Sequence, residues 1–474
     1  MISTATPSAE TRFIGKHSRS CSSPIAEALP LLTHHSFEDI VASRGGDIFS
    51  VRDFLASVAS LAVSLPARRY ALNLCADRYH FLIAFAAALV ARQASLLPTC
   101  RAPQVLAQLI RRYPDAYVLS DHDDIPSDIP AHPVSSRCRT FHRRMDIPAL
   151  PSGQTAALVF TSGTSGSPCA HEKTWGSLVR GAQALKRQLS IRTECSRMVV
   201  GTVPAQHMYG LETTIMLPLQ SGWGIHAGHP ILPADLREAM ENLRCPVWLM
   251  TTPVHLRAYV GQQTRLPGLT GIISATMPLA RSLAAKAETL WRVPVDEIYG
   301  CTEGGVIGWR RTTAAHAWTV CSGLRMWQAG DATWVSGGHV GKPLQLADRI
   351  TIDSPTQFIL HGPGNDLVKV AGKRTSLAAL NAALATIEGV VDGTFYRPRL
   401  DSKGHSRLTA FVVAPGIRTS TIQAELRKRI DPLFLPRPLH LVEALPRNLT
   451  GKLPRERLET FANEVVLRDR QRRG

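Results

Sequence analysis

The sequence lacks closely spaced cysteines. Its nine cysteines are scattered singly along 474 residues, none of them in a Cys-x-x-Cys pair, and their number is odd. Disulfide scaffolds and zinc modules use cysteines in closely spaced sets. We therefore expect neither a disulfide framework nor a zinc site, and the pattern favours a reducing, cytoplasmic environment.

Long hydrophobic runs are also missing. The longest run, Phe81–Ala91, has 11 residues, about half of the ~20 that a membrane-spanning helix needs. The first residues are rich in Ser and Thr and contain no apolar core of a secretory signal. The sequence predicts no membrane insertion, a buried helix at Phe81–Ala91 and a flexible leader over residues 1–25.

The sequence has few acidic residues relative to basic ones. It contains 54 Lys and Arg and 37 Asp and Glu, which gives a formal net charge of +17. A nucleic-acid partner would explain such a charge. However, the basic residues are dispersed except at Arg468–Arg473, and the chain has neither an RNP-like aromatic signature nor Cys/His finger spacing. We expect no nucleic-acid partner, and an acidic partner protein or solubility alone explains the charge as well.

Strand and helix patterns alternate from about residue 26 to about residue 300, as in "AALVFTSG" followed by "SLVRGAQALKRQL". This alternation is typical of βαβ units in doubly wound parallel sheets. Short alternating segments between about 310 and 359 predict a small antiparallel sheet. We predict an α/β core over 26–361, a Gly/Pro-rich hinge over 362–366 and a smaller, mobile α+β C-terminal domain over 367–474.

The stretch "LVFTSGTSGSPCAHEKTW", Leu158–Trp175, is rich in Ser, Thr and Gly directly after an apolar strand pattern. It is either a surface turn or a phosphate-binding loop, because hydroxyls and glycine N–H groups can surround an anion. It differs from the Walker loop, since no Gly-Lys-Ser/Thr follows at the required spacing. The candidate phosphate ligands are Thr161, Ser162, Gly163, Thr164, Ser165 and Gly166.

Three distant segments carry further reactive side chains. "EIYGCTEGG" contains Tyr299, Thr302 and Glu303 at the end of a strand pattern, where a carboxylate suits Mg²⁺ and an aromatic ring suits a base. "PAQHMYGLE" places His207 after an apolar strand, and "LPRNLTGKLPR" places Lys452 in a glycine-containing loop. Each is weak evidence alone, since such residues also occur at ordinary strand ends and turns.

In this order and spacing, the four segments resemble the adenylate-forming superfamily of AMP-dependent synthetases, which includes acyl- and aryl-CoA ligases, peptide-synthetase adenylation domains and luciferases. The resemblance covers about residues 35–460. A closer likeness, in "SPCAHEKTWGSL", "ISATMPL" and "VKVAGKRTSLAALN", is to the AMP-ligases of aryl polyene and xanthomonadin-type pigment synthesis. It implies that ATP and Mg²⁺ activate an aromatic, hydroxybenzoate-like acid to acyl-AMP, with transfer to the phosphopantetheine thiol of an acyl carrier protein.

The resemblance also implies roles for individual residues. Lys452 would bridge the substrate carboxylate and the α-phosphate, while Thr302 and Glu303 would serve the α-phosphate and Mg²⁺. The acid would contact His207, Tyr209 and Thr251, and the hinge would be at Asn365. Besides the phosphate loop, the ATP-binding residues would be Ser274, Ala275, Thr276, Tyr299 and Asp348.

Three positions depart from the pattern of the superfamily. Cys169 stands where many relatives have Lys, with Lys173 as a nearby substitute. Pro363 stands where an arginine usually contacts the ribose, and Asn365 replaces the usual hinge Asp or Lys. Two alternatives therefore stay open beside the carrier-protein ligase, namely a ligase that uses free CoA and a degenerate, non-catalytic nucleotide-binding homologue.

Overall fold

The computed structural model describes residues 27–98, 100–123, 130–135, 146–162, 168–189, 197–363, 367–370, 373–398, 408–448 and 451–471. The predicted leader, the predicted phosphate ligands Gly163–Gly166 and the predicted hinge residue Asn365 lie outside these residues. The backbone of Ser162 is described, at the end of a strand.

The strands follow the chain in short segments. They are β1 (Ala28–Pro30), β2 (Ile40–Arg44), β3 (Asp47–Ser50), β4 (Tyr70–Asn73), β5 (Ala94–Leu97), β6 (Ala116–Ser120), β7 (Ala131–Pro133), β8 (Ala149–Pro151), β9 (Thr155–Ser162), β10 (Pro168–Thr174), β11 (Met198–Gly201), β12 (Gly224–His226), β13 (Val247–Thr251), β14 (Leu269–Ser274), β15 (Val295–Cys301), β16 (Gly305–Arg311), β17 (Trp318–Val320), β18 (Leu324–Ala329), β19 (Ala332–Gly337), β20 (Gly341–Leu346), β21 (Asp348–Ser354), β22 (Gln357–Pro363), β23 (Leu367–Val370), β24 (Lys373–Ser376), β25 (Asp392–Tyr396), β26 (Thr409–Val413) and β27 (Leu439–Leu441).

The helices alternate with these strands through the core. They are α1 (Val51–Ser64), α2 (Arg78–Val90), α3 (Pro103–Arg112), α4 (Trp175–Gln188), α5 (Met208–Leu211), α6 (Leu217–Leu219), α7 (Pro233–Glu241), α8 (Pro253–Gly261), α9 (Arg281–Trp291), α10 (Leu377–Ala385), α11 (Thr419–Arg427) and α12 (Arg455–Gln471), with a π-helical segment (Glu212–Met216) joining α5 to α6 and a 3-10 turn at Pro432–Phe434.

Two large sheets form the core. The first has the order β10-β9-β5-β4-β6-β7, and the second has the order β21-β22-β17-β16-β15-β14-β13-β11-β12-β2-β3. The central strands of both are parallel, as in β4 with β5 and β6, and β13 with β11 and β14. This confirms the α/β prediction for the core.

The region from 310 to 359 differs in part from the prediction. β18, β19 and β20 form the expected small antiparallel sheet, whereas β17, β21 and β22 extend the eleven-stranded sheet by antiparallel pairing. An alternating pattern identifies a strand but not its partner, because either sheet can bury the apolar face. The β1 and β8 strands form a separate antiparallel pair.

The C-terminal domain is α+β, as expected. Its hairpin β23–β24 precedes α10, and its three-stranded sheet has the order β25-β26-β27. Buried side chains of α10, α11 and β26, such as Leu384, Leu426 and Ala410, form its separate hydrophobic core. A domain with its own core is the unit that can reorient as one body.

Helix α2 lies between the two large sheets. It contacts β4 and β5 of the first sheet and β12 of the second, and every residue from Phe81 to Leu89 is buried. Asp77 caps it by accepting a hydrogen bond from the His80 N–H. An all-round apolar helix must be buried on every side, which explains the run predicted from sequence. Among the described residues, no helix is both long and apolar enough to span a bilayer.

Arg78, in the first turn of α2, joins this helix to the second sheet. Its side chain is buried, 3% exposed, and burial lowers its pKa to about 10. A buried cation requires partners for all its N–H groups. The guanidinium donates to Thr214 Oγ1 and to the carbonyls of Gly201, Val203, His226 and Gly228, at 2.7–3.3 Å.

We expect Arg78→Leu to lower the free energy of unfolding by about 3 kcal/mol or more, because several buried carbonyls would lose their donor. Urea unfolding followed by tryptophan fluorescence measures the change. The control is Arg52→Gln, which removes an ion pair with Glu38 whose side chains are 56% and 72% exposed and should cost less than about 1 kcal/mol. Equal losses in the two variants would contradict the proposed role of Arg78.

Candidate active site

A cavity of about 1530 Å³ lies where the C-terminal domain meets the core. Its core side includes Ala275–Pro278 after β14 and Ile298–Thr302 at the end of β15. Its other side includes Ser376, Arg447 and Lys452. Parallel strands direct their carboxyl ends to one edge of a sheet, where ligands of α/β proteins bind. The cavity is larger than the usual pocket for one small ligand.

All four sequence segments reach this cavity. Thr161, His207, Thr302 and Lys452 each line it, although they are far apart in the sequence. The tertiary structure therefore brings together the segments that the sequence analysis grouped by motif.

Tyr299 and Asp348 form a pair in the cavity wall. The Tyr299 hydroxyl donates to Asp348 Oδ2 at 2.7 Å, and its ring packs edge-on against Trp318 with centroids 5.9 Å apart. Burial, together with the Asp348 carboxylate, raises the pKa of Tyr299 well above its usual range. The Cα partner of Asp348 across the sheet is Pro363, and the neighbouring Arg349 also lines the cavity. The residues predicted for adenine and ribose are thus adjacent.

A buried lysine supports the turn that carries Glu303. Lys173 is 5% exposed, and its Nζ donates to the main-chain oxygen of Glu303 at 2.5 Å. Burial lowers the pKa of this ammonium group. Among the described residues Lys173 does not line the cavity, while Cys169 is exposed and opposite Thr161 in the β9–β10 pair. Lys173 therefore holds the Glu303 turn instead of replacing a lysine at position 169.

His171 links Thr161 to Glu303. Its Nε2 lies 3.0 Å from Thr161 Oγ1 and 3.6 Å from Glu303 Oε1. The Glu303 side chain is 42% exposed, and the described residues contain no cluster of three or more metal-binding side chains. Mg²⁺ is commonly held by one or two carboxylates together with phosphates and water. An accessible carboxylate near Thr161 fits that mode.

The predicted adenine segment is divided between wall and interior. Ala275 and Thr276 line the cavity, and Thr276 adopts a left-handed backbone with φ of 77°. Ser274 is fully buried and is not among the described residues that line the cavity. Its hydroxyl does not reach the space in which adenine is predicted to bind.

The three predicted acid contacts have different positions. His207 lines the cavity, and burial, with the nearby Lys452 charge acting in the same direction, lowers its pKa to about 4. Tyr209 also lines it, but its hydroxyl donates to the carbonyls of Thr251 and Ile273 at 3.1 and 2.9 Å. Thr251 is fully buried and, among the described residues, lies outside the cavity lining. The structure brings His207 and Tyr209 to the cavity but not Thr251.

The described residues on either side of Lys452 form hydrogen bonds within the C-terminal domain. The Lys452 N–H donates to Asn448 Oδ1 at 2.9 Å. Arg447 forms two 2.7 Å hydrogen bonds with the Asp392 carboxylate and donates to Gly451 O at 2.9 Å. The Lys452 side chain is exposed and lines the cavity. These hydrogen bonds hold the described residues beside Lys452, whose ammonium group is exposed at the cavity.

Glu212 is a cavity residue to which the sequence analysis gave no role. It is 4% exposed, lines the cavity and accepts the Val306 N–H on Oε1 at 3.1 Å. Gly305, with φ of 73°, packs so closely that a Cβ there would clash with Oε1. Burial raises the pKa of Glu212 to about 7. The sequence signal that could have identified Glu212 is a charged residue within the mostly apolar segment Met208–Leu219.

A model of the AMP-binding enzyme family matches residues 56–362. A 4-coumarate–CoA ligase of Rhodobacter capsulatus is 31% identical over 319 residues, which cover 65% of this chain and 78% of that protein. A 4-coumarate–CoA ligase of Halorhodospira halophila is 29% identical over 321 residues, which cover 64% and 76%.

Solved structures share the fold at low sequence identity. The anthranilate CoA ligase AuaEII in complex with anthranoyl-AMP has a TM-score of 0.76 at 14% identity, covering 92% of this chain and 98% of that chain. The o-succinylbenzoate CoA synthetase of Bacillus subtilis, in complex with its acyl-adenylate, has a TM-score of 0.77 at 17% identity, covering 89% and 95%. At such identities the likeness shows the fold alone.

We expect Glu212 to make stability depend on pH. Its pKa in the folded protein, about 7, lies above the ordinary value of 4.5, so the folded state binds this proton more tightly than the unfolded state does. Its contribution to stability is therefore present at pH 4.5 and falls as pH rises to about 7, by a few kcal/mol at most. Urea unfolding of wild type and Glu212→Gln from pH 5 to 8 measures this. Relative to the variant, wild type should lose stability over that range, and a constant difference would contradict the assignment.

Proposed function

The chain belongs to the AMP-binding enzyme family, and we propose that it activates an aromatic carboxylic acid as the acyl-AMP and transfers the acyl group to the thiol of an acyl carrier protein. As an adenylate-forming acid–thiol ligase, it uses ATP to activate a carboxylic acid. The observation that carries the proposal is the single cavity lined by Thr161, Tyr299, His207 and Lys452.

Different residues of the cavity would contact different parts of the two reactants. Tyr299, Asp348, Ala275 and Thr276 would hold the nucleoside. The 161–166 segment would hold the phosphates, with Glu303 contributing to Mg²⁺. Lys452 would neutralise charge on the attacking carboxylate and the α-phosphate, which are both anions.

Several observations support an aromatic acid. The curated relatives are named for 4-coumarate, and a structure with the same fold holds anthranoyl-AMP. Met208, Tyr209 and Val306 give the cavity apolar surface next to His207. Flat acids suit a pocket that is mostly apolar with a few polar groups. A hydroxybenzoate-like acid, and the pigment-synthesis likeness in the sequence, belong to this proposal.

An acid-dependent ATP–pyrophosphate exchange assay tests the activity. Benzoates, cinnamates and medium-chain fatty acids are supplied in turn, and we expect the fastest exchange with an aromatic acid. Faster exchange with fatty acids than with any aromatic acid would overturn the aromatic assignment. No exchange with any acid would instead support a degenerate, non-catalytic nucleotide-binding homologue.

Lys452→Ala is expected to slow acyl-AMP formation by about 10²-fold or more, since a preorganised cation that stabilises developing charge would be lost. Thioester formation from supplied acyl-AMP should persist, because no phosphate chemistry remains in that step. The control is Lys428→Ala in the same domain, which removes an exposed lysine paired with Glu425. Equal losses in both half-reactions would indicate a structural role for Lys452.

Two thiols are candidate acceptors for the acyl group, the phosphopantetheine of a carrier protein and that of free CoA. Carrier proteins are typically acidic, and a chain with a net charge of +17 would attract one by long-range electrostatics that mainly raise the association rate. The names of the curated relatives favour free CoA as the alternative acceptor.

The six described cysteines are all free, which supports a reducing, cytoplasmic location in this proposal.

A competition assay distinguishes the acceptors. Phosphopantetheinylated carrier protein and CoA are supplied at equal concentration with the best acid, and AMP release and both thioesters are measured. We expect carrier loading to dominate and to weaken as salt rises past 0.15 M, where the Debye length is about 8 Å. Rapid acyl-CoA formation with little acylated carrier would assign the enzyme to free CoA.

A further inference from the structure

We propose that Glu212 selects acids that carry a hydrogen-bond donor, a hydroxyl or amino group, on the part of the molecule remote from the carboxylate. This inference rests on the proposed function, since it concerns the acid that the same cavity would bind. It assigns recognition of that donor to Glu212 instead of His207 or Thr251.

The direction of the acid follows from the positions of Lys452 and His207. Both side chains line the same cavity, and the Lys452 charge contributes to lowering the pKa of His207, so His207 lies near the ammonium group that would meet the carboxylate. Glu212 lies five residues further along the helical segment that begins after His207, or roughly 7 Å along the axis at 1.5 Å per residue. An acid with its carboxylate near Lys452 would therefore extend its other end towards Glu212.

The Glu212 carboxyl group has one oxygen available. Oε1 accepts the Val306 N–H, whereas Oε2 has no hydrogen-bond partner among the described residues. The nearest cation, Lys173, is itself buried and donates to the Glu303 main chain. A carboxyl group that is 4% exposed and half unpartnered is costly. A donor on the ligand would satisfy the second oxygen.

Three other polar side chains near this end of the cavity already form hydrogen bonds. The Tyr209 hydroxyl donates to two carbonyls, and Cys301 Sγ accepts the Gly304 N–H at 3.3 Å. The Thr251 hydroxyl lies 2.9 Å from Thr202 Oγ1 and outside the cavity lining of the described residues. Glu212 thus places a carboxyl oxygen without a described partner at this end of the cavity.

The expected selectivity follows from the chemistry of recognition. A pocket that only lacks or gains apolar surface discriminates by about 10- to 200-fold, whereas a site built to hydrogen-bond a hydroxyl rejects the analogue without it by up to about 10⁵-fold. We expect the wild-type enzyme to prefer the donor-bearing acid by about 10²-fold or more in kcat/KM.

The test uses matched pairs of acids with and without a terminal hydroxyl, one pair aromatic (4-hydroxybenzoate and benzoate) and one aliphatic. The ratio of kcat/KM within each pair is measured by pyrophosphate exchange for wild type, Glu212→Leu and Glu212→Gln. The ratio should fall towards one in Glu212→Leu and be partly kept in Glu212→Gln, whose amide oxygen still accepts. The surface control Glu238→Gln, in α7 and exposed, should leave the ratio unchanged.

A Glu212→Leu ratio equal to that of wild type would overturn the proposal, as would a wild-type preference for the acids without the hydroxyl. Loss of fold is checked by urea unfolding, and Glu212→Gln keeps the shape of the side chain if Glu212→Leu does not fold. Calorimetric binding of the same pairs measures the preference without turnover. A hydroxyl preference confined to the aliphatic pair would sustain the role of Glu212 while refuting the aromatic substrate.

Discussion

The guanidinium of Arg78 is the constraint on which the site depends. It belongs to the helix between the two sheets and donates its hydrogen bonds to carbonyls at and just after the ends of β11 and β12 and to Thr214 of the π-helical segment. Because a buried donor set tolerates little displacement, these groups are fixed relative to α2. The segment that contains His207, Tyr209 and Glu212 runs between two of these anchored points. Positions in the acid end of the cavity therefore follow from one buried cation.

The buried and the exposed side chains of the cavity differ in how readily they carry a charge. At the acid end, burial lowers the pKa of His207 to about 4 and raises that of Glu212 to about 7, so both groups shift towards their neutral forms. In the same cavity, Glu303 is accessible, and Lys452, whose charge acts on His207, is exposed. The accessible groups can therefore keep their charge, whereas the buried groups shift towards their neutral forms, because burial in a low dielectric disfavours a charged group.

The placement of Lys452 depends on contacts between two domains. Within the C-terminal domain, Arg447 beside the Lys452 loop pairs with Asp392. The contacts of this domain with the core include Arg447 Nη1 at 3.5 Å from Met277 Sδ and a hydrogen bond from Arg257 to the Val391 carbonyl. Polar contacts of this kind resemble transient interfaces more than a shared core.

The sequence determined the fold class, the four chemical segments and the buried helix at Phe81–Ala91, because these depend on local periodicity and composition. The motifs and the family resemblance that they carry also identified Tyr299, Asp348, Glu303 and Lys452 as candidate site residues. It did not reveal that Lys173 supports the Glu303 turn, since the direction of a side chain in β10 depends on strand pairing.

Only the tertiary structure decided which side chains face the cavity. Thr251 and Ser274 stand at the ends of strands, as a binding residue would, yet both are fully buried. In the sequence, Glu212 is a charged residue within a helical pattern. Its neighbours Val306 and Gly305 belong to a strand almost a hundred residues later in the chain. Burial, free hydrogen-bonding capacity and the resulting pKa are properties of that packing, because each depends on groups that only folding brings together.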